Sequence, residues 1–393
     1  MKTLLKNKIT VLLLMSTIFI SCTETYNLKT DSYEEALVVE ATITNELKNQ
    51  EIKLTKTARL EEEGVQVETG ANVVVTDNKG NSYHFTENSE KYISDLEFKA
   101  EPNTEYSLEI TTKGGKKYQS TSEVLTTENQ IENLVPKVVS TQEGEGVQIS
   151  VESYDPTNTS KYYRYEYEET YKIIAPKWGD QKLIATGPQE IALVPSPLDI
   201  QICYGSKKSV DIIQTSTTNL QEDRVNFPVR FISDQNYIIS HRYSILVRQY
   251  VQNLEAYTFY KTLKEISSSS SVLSPKQPGF LNGNIKCVTD TESKVIGFFD
   301  VSSVSSKRMF FNYADLYPGR PLPPYYVPCI DAEYRFCFGF GDPPCLGRQL
   351  ITELNSYRLW YSYNTNDYYT MVPIECGDCT TFSSNVIPSF WTE

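Results

Sequence analysis

The chain has 393 residues, which is long enough for two or three domains of about 100 to 200 residues each. Its formal net charge of −13 makes contact with a polyphosphate chain unfavourable, so we expect no nucleic-acid partner. Hydrophobic residues make up only 39% of the chain, but 28 tyrosines and 16 phenylalanines supply large side chains that can fill a core.

The N-terminal residues have the anatomy of a signal peptide. Lysines precede an apolar run over residues 9–20, and this run is too short to cross about 30 Å of hydrocarbon as a helix. The small residue Ser21 then precedes Cys22, an order typical of a bacterial lipoprotein signal. We therefore predict a lipoprotein signal peptide over residues 1–21, acylation of Cys22, and a polar tether over residues 22–30. The alternative is an ordinary secretory signal that leaves Cys22 as an unmodified thiol.

From residue 36 onward the pattern is that of short strands. Residues 51–57 alternate between apolar and polar side chains, which predicts a strand with one buried face. Residues 77–81 predict a hairpin turn, because asparagine and glycine tolerate positive φ. Several such strands with regularly spaced turns predict an immunoglobulin-like β-sandwich over residues 31–128.

The rest of the chain, residues 129–393, predicts a larger β-rich domain with one prominent helix and a cysteine-rich end. Its clearest strand covers residues 243–250, after which the apolar period changes to that of a helix over residues 254–266. Asn253 is a suitable N-cap for this helix. We expect one helix face to pack on the sheet of the same domain, and it comprises Ala256, Phe259, Tyr260 and Leu263. The predicted fold class is therefore mostly β.

A tyrosine-dense strand is predicted over residues 162–171, where Tyr163, Tyr165 and Tyr167 share one face. Such a stripe can be a stacking surface for sugar rings or for a partner protein. It can also simply cover the sheet, because tyrosine has a high β-propensity. We favour the second interpretation.

We expect most of the cysteines to form disulfides, because the chain is predicted to be exported and an exported protein meets oxidising conditions. Cys22 aside, seven cysteines remain, and an odd number leaves at least one free or paired with another chain. Cys287 lies in an alternating stretch and is the candidate for a buried free thiol. The disulfide candidates are Cys203, Cys329, Cys337, Cys345, Cys376 and Cys379. We expect Cys203 to pair with Cys376 or Cys379. We expect a further pair to form among Cys329, Cys337 and Cys345.

The spacing of Cys376 and Cys379 is compatible with a redox pair, half of a zinc site or structural disulfides. A redox motif needs a helix after the first cysteine, and zinc needs a second pair of ligands. Neither accompanies this pair in the sequence. The oxidising compartment therefore favours structural disulfides.

The sequence carries no catalytic signature. Its two histidines, His84 and His241, are not accompanied by a G-x-S-x-G motif, and its glycines lack phosphate-loop spacing. We therefore predict no enzymatic activity, no cofactor and no metal site. A glycosidase stays open as an alternative because it needs only two carboxylates, and the sequence alone cannot select two among 50 acidic residues.

A proline-rich segment, residues 317–329, cannot form regular strand ladders because proline lacks the backbone donor. Since cysteines lie close by in the sequence, we predict that it presents Tyr317, Tyr325 and Tyr326 as rigid aromatic anchors for a partner protein. The alternative is a stapled surface loop without a partner.

Several stretches together resemble one known family. They are residues 37–43 after the lipoprotein signal, residues 243–250 followed by Glu255-Ala256-Tyr257, Gly283-Asn284-Ile285 leading to residues 295–308, and Cys376-Gly377-Asp378-Cys379 with Pro388-Ser389-Phe390-Trp391. In these features the chain resembles a Bacteroidota outer-membrane lipoprotein family known only as a domain of unknown function. The resemblance implies an immunoglobulin-like first domain, a companion TonB-dependent receptor and no known catalytic residue.

The expected function is that of a non-enzymatic outer-membrane lipoprotein that captures a ligand as the accessory partner of a TonB-dependent receptor. The lipid on Cys22 would hold it in the outer membrane, at either the cell surface or the periplasmic face. The alternative is a free-standing surface lipoprotein for adhesion or for binding of glycan or protein.

Overall fold

The computed structural model of this chain describes residues 35–57, 66–268 and 281–393. The predicted signal peptide, the tether and Cys22 lie outside the described residues. The fold is mostly β: of the described residues, 50% lie in strands and 12% in helices, and several sheets are arranged like sandwiches. This confirms the predicted fold class.

The strands and helices of the described ranges have the following bounds. The first nine strands are β1 Leu37–Thr44, β2 Glu51–Lys56, β3 Gln66–Val67, β4 Asn72–Asp77, β5 Ser82–Asn88, β6 Lys91–Ser94, β7 Glu105–Thr111, β8 Lys117–Ser120 and β9 Glu123–Val124. The next nine are β10 Ile131–Thr141, β11 Gly144–Asp155, β12 Tyr162–Ile174, β13 Gln181–Gly187, β14 Glu190–Pro195, β15 Ile202–Lys208, β16 Ile213–Ser216, β17 Asp223–Ser233 and β18 Arg242–Gln252. The last are β19 Ile285–Cys287, β20 Val295–Asn312, β21 Ala332–Arg335, β22 Leu359–Thr365 and β23 Tyr368–Pro373. The α-helices are α1 Leu254–Ser268, α2 Tyr313–Leu316 and α3 Gly347–Asn355.

The strands form because their side chains alternate between core and solvent. In β1 the residues Leu37, Val39, Ala41 and Ile43 are all buried, as the period of two requires for one face of a sheet. The predicted turn between β4 and β5 is also present. The carboxylate of Asp77 accepts hydrogen bonds from the backbone N–H groups of residues 79 and 81, at 3.0 and 2.8 Å. Gly80 adopts φ +89°, which favours glycine at this position.

The first core is enclosed by strands in the order β20–β1–β2–β6–β5–β4–β7–β8–β19. The two ends of this series meet through the side chain of Asn284. Its Nδ2 donates to the carbonyl of Phe299 at 2.9 Å, and its Oδ1 accepts from the N–H of Phe299 at 2.8 Å. Residues 285–301 therefore complete a core that otherwise comes from residues 37–118. The boundary at residue 128 and the immunoglobulin-like subtype stay predictions.

The second core lies between two layers. One layer is the sheet β15–β12–β18–β20, and the other is the three-stranded sheet β10–β11–β17. Tyr163 and Tyr165 are 0% and 1% exposed within this core. The stripe of tyrosines on β12 therefore fills the interior of the protein rather than offering a stacking surface.

Strand β20 belongs to both units. Its residues Val295–Ser302 pair in parallel with β1, and its residues Ser303–Asn312 pair antiparallel with β18. Val301 is buried in the first core, and Phe311 is buried in the second. One continuous strand thus fixes the two units against each other.

The C-terminal part combines the hairpin β13–β14, the sheet β21–β23–β22 and helix α3 around smaller apolar clusters. Three disulfides hold it: Cys203–Cys379, Cys329–Cys376 and Cys337–Cys345. The predicted partner of Cys203 and the pairing of Cys337 with Cys345 agree with the structure. Cys376 and Cys379 belong to different bridges, so they do not form a redox pair. Cys287 is the free cysteine of the described ranges, and it is buried, as predicted.

Helix α1 begins and packs largely as its sequence predicts. Asn253 caps it, since its Oδ1 accepts a hydrogen bond of 2.7 Å from the N–H of Ala256. Ala256 and Phe259 are buried against Phe298, with further apolar contact from residue 296. The face packs on the sheet of the second unit, as expected, since the ring of Tyr260 lies over the guanidinium of Arg164 on β12, at 5.1 Å from the ring centroid. It also packs on the part of β20 that pairs with β1, so the helix lies at the junction of the two units.

Candidate functional site

The residues predicted to contact a partner have mainly structural roles. Tyr317 is 2% exposed and stacks on Tyr313 with ring centroids 4.9 Å apart. Tyr325 is half-buried, and its hydroxyl donates to the carbonyl of Glu375 at 3.0 Å. The prediction that Tyr317 anchors a partner is wrong, because its ring is part of the second core. Segment 317–329 is therefore not a loop that can be deleted without damage to the fold.

Tyr326 differs from these two tyrosines because it is 47% exposed. Its ring stacks on Phe382 at a centroid distance of 4.4 Å, which occupies one face. Tyr237 makes an edge contact with the same ring, with centroids 5.4 Å apart. Its proposed contact with a partner stays a prediction.

A groove of about 770 Å³ lies beside helix α1, next to exposed apolar side chains. We call it the α1 groove. It lies between α1, the strand pair β8–β19 and the turn at residues 281–284. This position follows from the closure of the first core, because the same turn carries Asn284.

The apolar side chains of the α1 groove are buried in its inner part and exposed at its outer edge. Phe259 and Phe298, at 6% and 4% exposure, form its inner part. Leu254 on the helix and Val288 after β19, at 52% and 56% exposure, form its outer edge. A ligand in this groove would remove these two side chains from water, which contributes to binding in proportion to the apolar area covered.

Glu123 is a polar group in the lining of the α1 groove. Its Oε1 accepts from Asn284 Nδ2 at 2.8 Å and from Thr121 Oγ1 at 2.9 Å, and its Oε2 accepts from Asn253 Nδ2 at 2.8 Å. Burial raises the pKa of Glu123, these hydrogen bonds oppose the rise, and the nearby carboxylate of Asp300 adds to it. One carboxylate thus connects the cap of α1 to the turn that closes the first core.

A buried polar layer lies behind this carboxylate. Asp300 is 1% exposed, its Oδ2 accepts from Ser302 Oγ at 2.7 Å, and burial raises its pKa. The guanidinium of Arg164 lies over the rings of Tyr250 and Tyr260, at 4.3 and 5.1 Å from their centroids. These groups hold β12, β18, β20 and α1 together behind the groove.

The groove offers hydrogen bonding and apolar contact, and the charged residues in its lining are Glu123, Glu255 and Lys286. Neither His84 nor His241 is among the residues that line it. Within residues 35–57, 66–268 and 281–393, no group of three or more His, Cys, Asp or Glu side chains is arranged to hold a metal ion. No helix in these ranges is long and apolar enough to cross a membrane.

Sequence reasoning identified only part of this site. It predicted the cap at Asn253. Glu123, however, lies 130 positions before Asn253 and 161 positions before Asn284 in the sequence. No local pattern connects residues so far apart. The stretch Gly283-Asn284-Ile285 was a signal only through the family resemblance.

Comparison with known proteins gives a family but no function. No curated protein matches the chain. A DUF4785 family protein from Legionella pneumophila is 10% identical with a TM-score of 0.16, and the match covers 54% of this chain and 51% of that one. A trypsin-activated α2-macroglobulin from Escherichia coli is 8% identical with a TM-score of 0.16, and the match covers 57% of this chain and 15% of that one. The chain thus spans about half of the first structure's length and less of the second's, and at these TM-scores neither similarity carries an argument.

The family model described as a domain of unknown function (DUF4249) matches residues 23–308. The match begins directly after Cys22 and ends within strand β20, so it includes the first core, most of the second core, helix α1 and every residue of the α1 groove. Because it spans more than half of the chain, this protein belongs to the DUF4249 family.

Proposed function

We propose that this protein is a non-enzymatic lipoprotein of the outer membrane that binds a ligand in the α1 groove and delivers it to a TonB-dependent receptor. The observation that carries the proposal is the groove itself. Its volume of about 770 Å³ lies within the range typical of small-molecule sites, roughly 300 to 1,000 Å³. Mixed lining by apolar side chains and a few placed polar groups is also typical of such sites.

The ligand that fits best is amphipathic. Its apolar part would cover Leu254 and Val288, and a hydrogen-bond donor would face the carboxylate of Glu123. Oε2 of Glu123 accepts one hydrogen bond, from Asn253, and a carboxylate oxygen can accept a second.

A membrane anchor on Cys22 supports the receptor part of the proposal. Anchoring confines a protein to the plane of the membrane and raises its effective concentration beside membrane receptors. The resemblance to outer-membrane lipoproteins with companion receptors points to the same partner.

A binding role rather than catalysis is supported by the structural bonds that several acids make, of which Glu169 is buried and Glu166 is partly exposed. Glu169 accepts hydrogen bonds from Arg230 at 3.1 and 3.2 Å and from the hydroxyl of Tyr243 at 2.8 Å. Glu166 forms an ion pair with Arg164 and accepts from the hydroxyl of Tyr250 at 3.1 Å. These carboxylates serve to hold strands together, and Glu123 is similarly engaged.

The test has two readouts on one preparation. The tagged chain is purified from detergent-solubilised envelopes, the recovered proteins are identified, and small molecules released on denaturation are measured by mass spectrometry. Thr258→Trp, on the exposed side of α1, fills the groove, whereas Leu96→Glu changes a 77% exposed side chain outside it.

We expect wild type and Leu96→Glu to carry the same ligand and Thr258→Trp to lose it. Equal ligand recovery from all three proteins would exclude the α1 groove as the binding site. Absence of any TonB-dependent receptor among the proteins recovered with wild type would instead favour the free-standing binding lipoprotein.

A further inference from the structure

The α1 groove carries charges of both signs in two places. Its acidic part lies where α1 begins. There Glu123 accepts the hydrogen bond from Asn253, and Glu255 lies two residues after Asn253 in the first turn of the helix. Its basic group is the ammonium of Lys286 on β19. A ligand in the groove therefore meets two carboxylates at one end of α1 and one ammonium group on the neighbouring strand.

The register of β19 fixes the position of Lys286. Ile285 and Cys287 are buried in the first core. Because side chains alternate along a strand, those of Asn284 and Lys286 lie on the opposite, outer face. Asn284 donates to Glu123 at 2.8 Å, and Lys286 lies two residues further on, which is about 6 to 7 Å along the strand. The basic group therefore lies about one repeat of the strand away from the acidic part of the groove.

The side chains of Glu255 and Lys286 are available to a ligand. Both are exposed, and within residues 35–57, 66–268 and 281–393 neither forms an ion pair or a side-chain hydrogen bond. Covering a charged group without providing a partner costs binding free energy. A neutral ligand would leave both groups unpaired, an anionic one would face two carboxylates, and a cationic one would face the ammonium group. A ligand with one charge of each sign matches the groove.

We propose that the α1 groove binds a short peptide with free termini and apolar side chains. Its ammonium group would pair with Glu123 and Glu255, and its carboxylate with Lys286. An extended chain spans at most about 3.3 to 3.6 Å per residue, so about two or three residues cover the distance between these groups. The apolar side chains would cover Leu254 and Val288, which are exposed. This inference rests on the proposed function only in placing the ligand in the α1 groove, and it requires no receptor.

A zwitterionic phospholipid carries the same two charges but fits the groove less well. Its ammonium and phosphate groups are joined by a single ethylene link, which is shorter than one repeat of the strand. Its acyl chains cannot form hydrogen bonds, whereas the groove exposes neutral polar side chains such as those of Gln119 and Thr258. A peptide offers a backbone donor and a backbone acceptor to such side chains at each residue. The lining therefore favours the peptide over the lipid.

The experiment measures the binding of tripeptides to the purified full-length protein in detergent. The probe is a pool with leucine, valine or phenylalanine at both ends and alanine in the middle, and its binding is measured by equilibrium dialysis and mass spectrometry. A second pool is acetylated at the N-terminus, and a third is amidated at the C-terminus. The variants are Glu255→Gln and Lys286→Gln. Their matched controls are Glu90→Gln and Lys79→Gln, which change exposed side chains outside the groove.

We expect the unblocked pool to bind and either block to weaken binding about 5-fold, as is typical when one partner of an exposed charge pair is lost. Lys286→Gln should weaken binding of the unblocked pool and leave binding of the amidated pool unchanged. Glu255→Gln should weaken binding of the unblocked pool and leave binding of the acetylated pool unchanged. Both control variants should bind every pool as wild type does. A change in folding would weaken binding of all pools alike, so the match between variant and block separates charge recognition from structure.

Equal binding of the blocked and unblocked pools would overturn the inference, as would the absence of binding of the unblocked pool. Lysophosphatidylethanolamine is the lipid probe, and its binding in preference to the tripeptides would overturn the inference too. Peptide binding that Thr258→Trp does not reduce would place the peptide outside the α1 groove, with the same consequence. A non-peptide ligand recovered from wild type and lost from Thr258→Trp would refute the peptide and leave the proposed function standing.

Discussion

The packing of helix α1 can be tested by truncating Phe259 to alanine. Phe259 is 6% exposed and packs on Phe298, with ring centroids 5.7 Å apart. A buried aromatic side chain removes roughly 150 to 250 Å² from water, worth roughly 4 to 6 kcal/mol at about 25 cal/mol per Å². Structure in the unfolded chain reduces this by roughly 10 to 40%, and the better helix propensity of alanine offsets about 0.5 kcal/mol. We therefore expect Phe259→Ala to lower the free energy of unfolding by about 3 kcal/mol.

The assay is urea unfolding of the disulfide-intact protein, followed by circular dichroism at neutral pH. Leu254→Ala is the control, because it lies on the same helix but is 52% exposed, and it should lower the free energy of unfolding by less than about 1 kcal/mol. The comparison is meaningful only if the denaturant dependence, the m-value, is unchanged between variants. A loss below about 1 kcal/mol for Phe259→Ala would refute the packing described here, and the apolar face of α1 would then be free to contact a partner.

Three further predictions concern other parts of the molecule. Burial raises the pKa of Glu123, so the folded state binds its proton more tightly than the unfolded chain does. The contribution of this group to stability is therefore present below its ordinary pKa of 4.5 and is lost as pH rises through the folded pKa. Relative to Glu123→Gln, the wild-type free energy of unfolding should therefore fall with rising pH in this window, and a parallel pH profile would contradict the shift. Asn284→Ala removes both hydrogen bonds to the Phe299 backbone and should lower the free energy of unfolding in urea by about 2 to 4 kcal/mol. The control Asn282→Ala changes an exposed side chain and should alter it by no more than about 0.5 kcal/mol. Equal effects of the two variants would show that Asn284 does not close the first core. Cys22→Ser should move the protein from the membrane to the soluble fraction on cell fractionation, and unaltered membrane recovery would refute lipid anchoring.

Part of this architecture is local in origin and could be predicted. Alternation of apolar and polar residues indicated β2, the Asp77–Gly80 turn indicated the β4–β5 hairpin, and a change of period indicated α1. The N-cap at Asn253 followed from residue type and position. Structural disulfides were expected because the predicted export exposes every cysteine to oxidising conditions. The described residues contain three disulfides and one buried thiol.

The sequence by itself thus determined element types, the capping of α1 and the number of paired cysteines. Only the tertiary structure decided that β20 completes both cores, that Tyr317 is buried and that Cys329 bonds to Cys376. Secondary structure follows from spacings of two to four residues, which can be read along the chain. The α1 groove depends on hydrogen bonds from Asn253 and Asn284 to Glu123, which lies 130 and 161 positions before them in the sequence. The packing of the strands brings these residues together, and no local pattern indicates it.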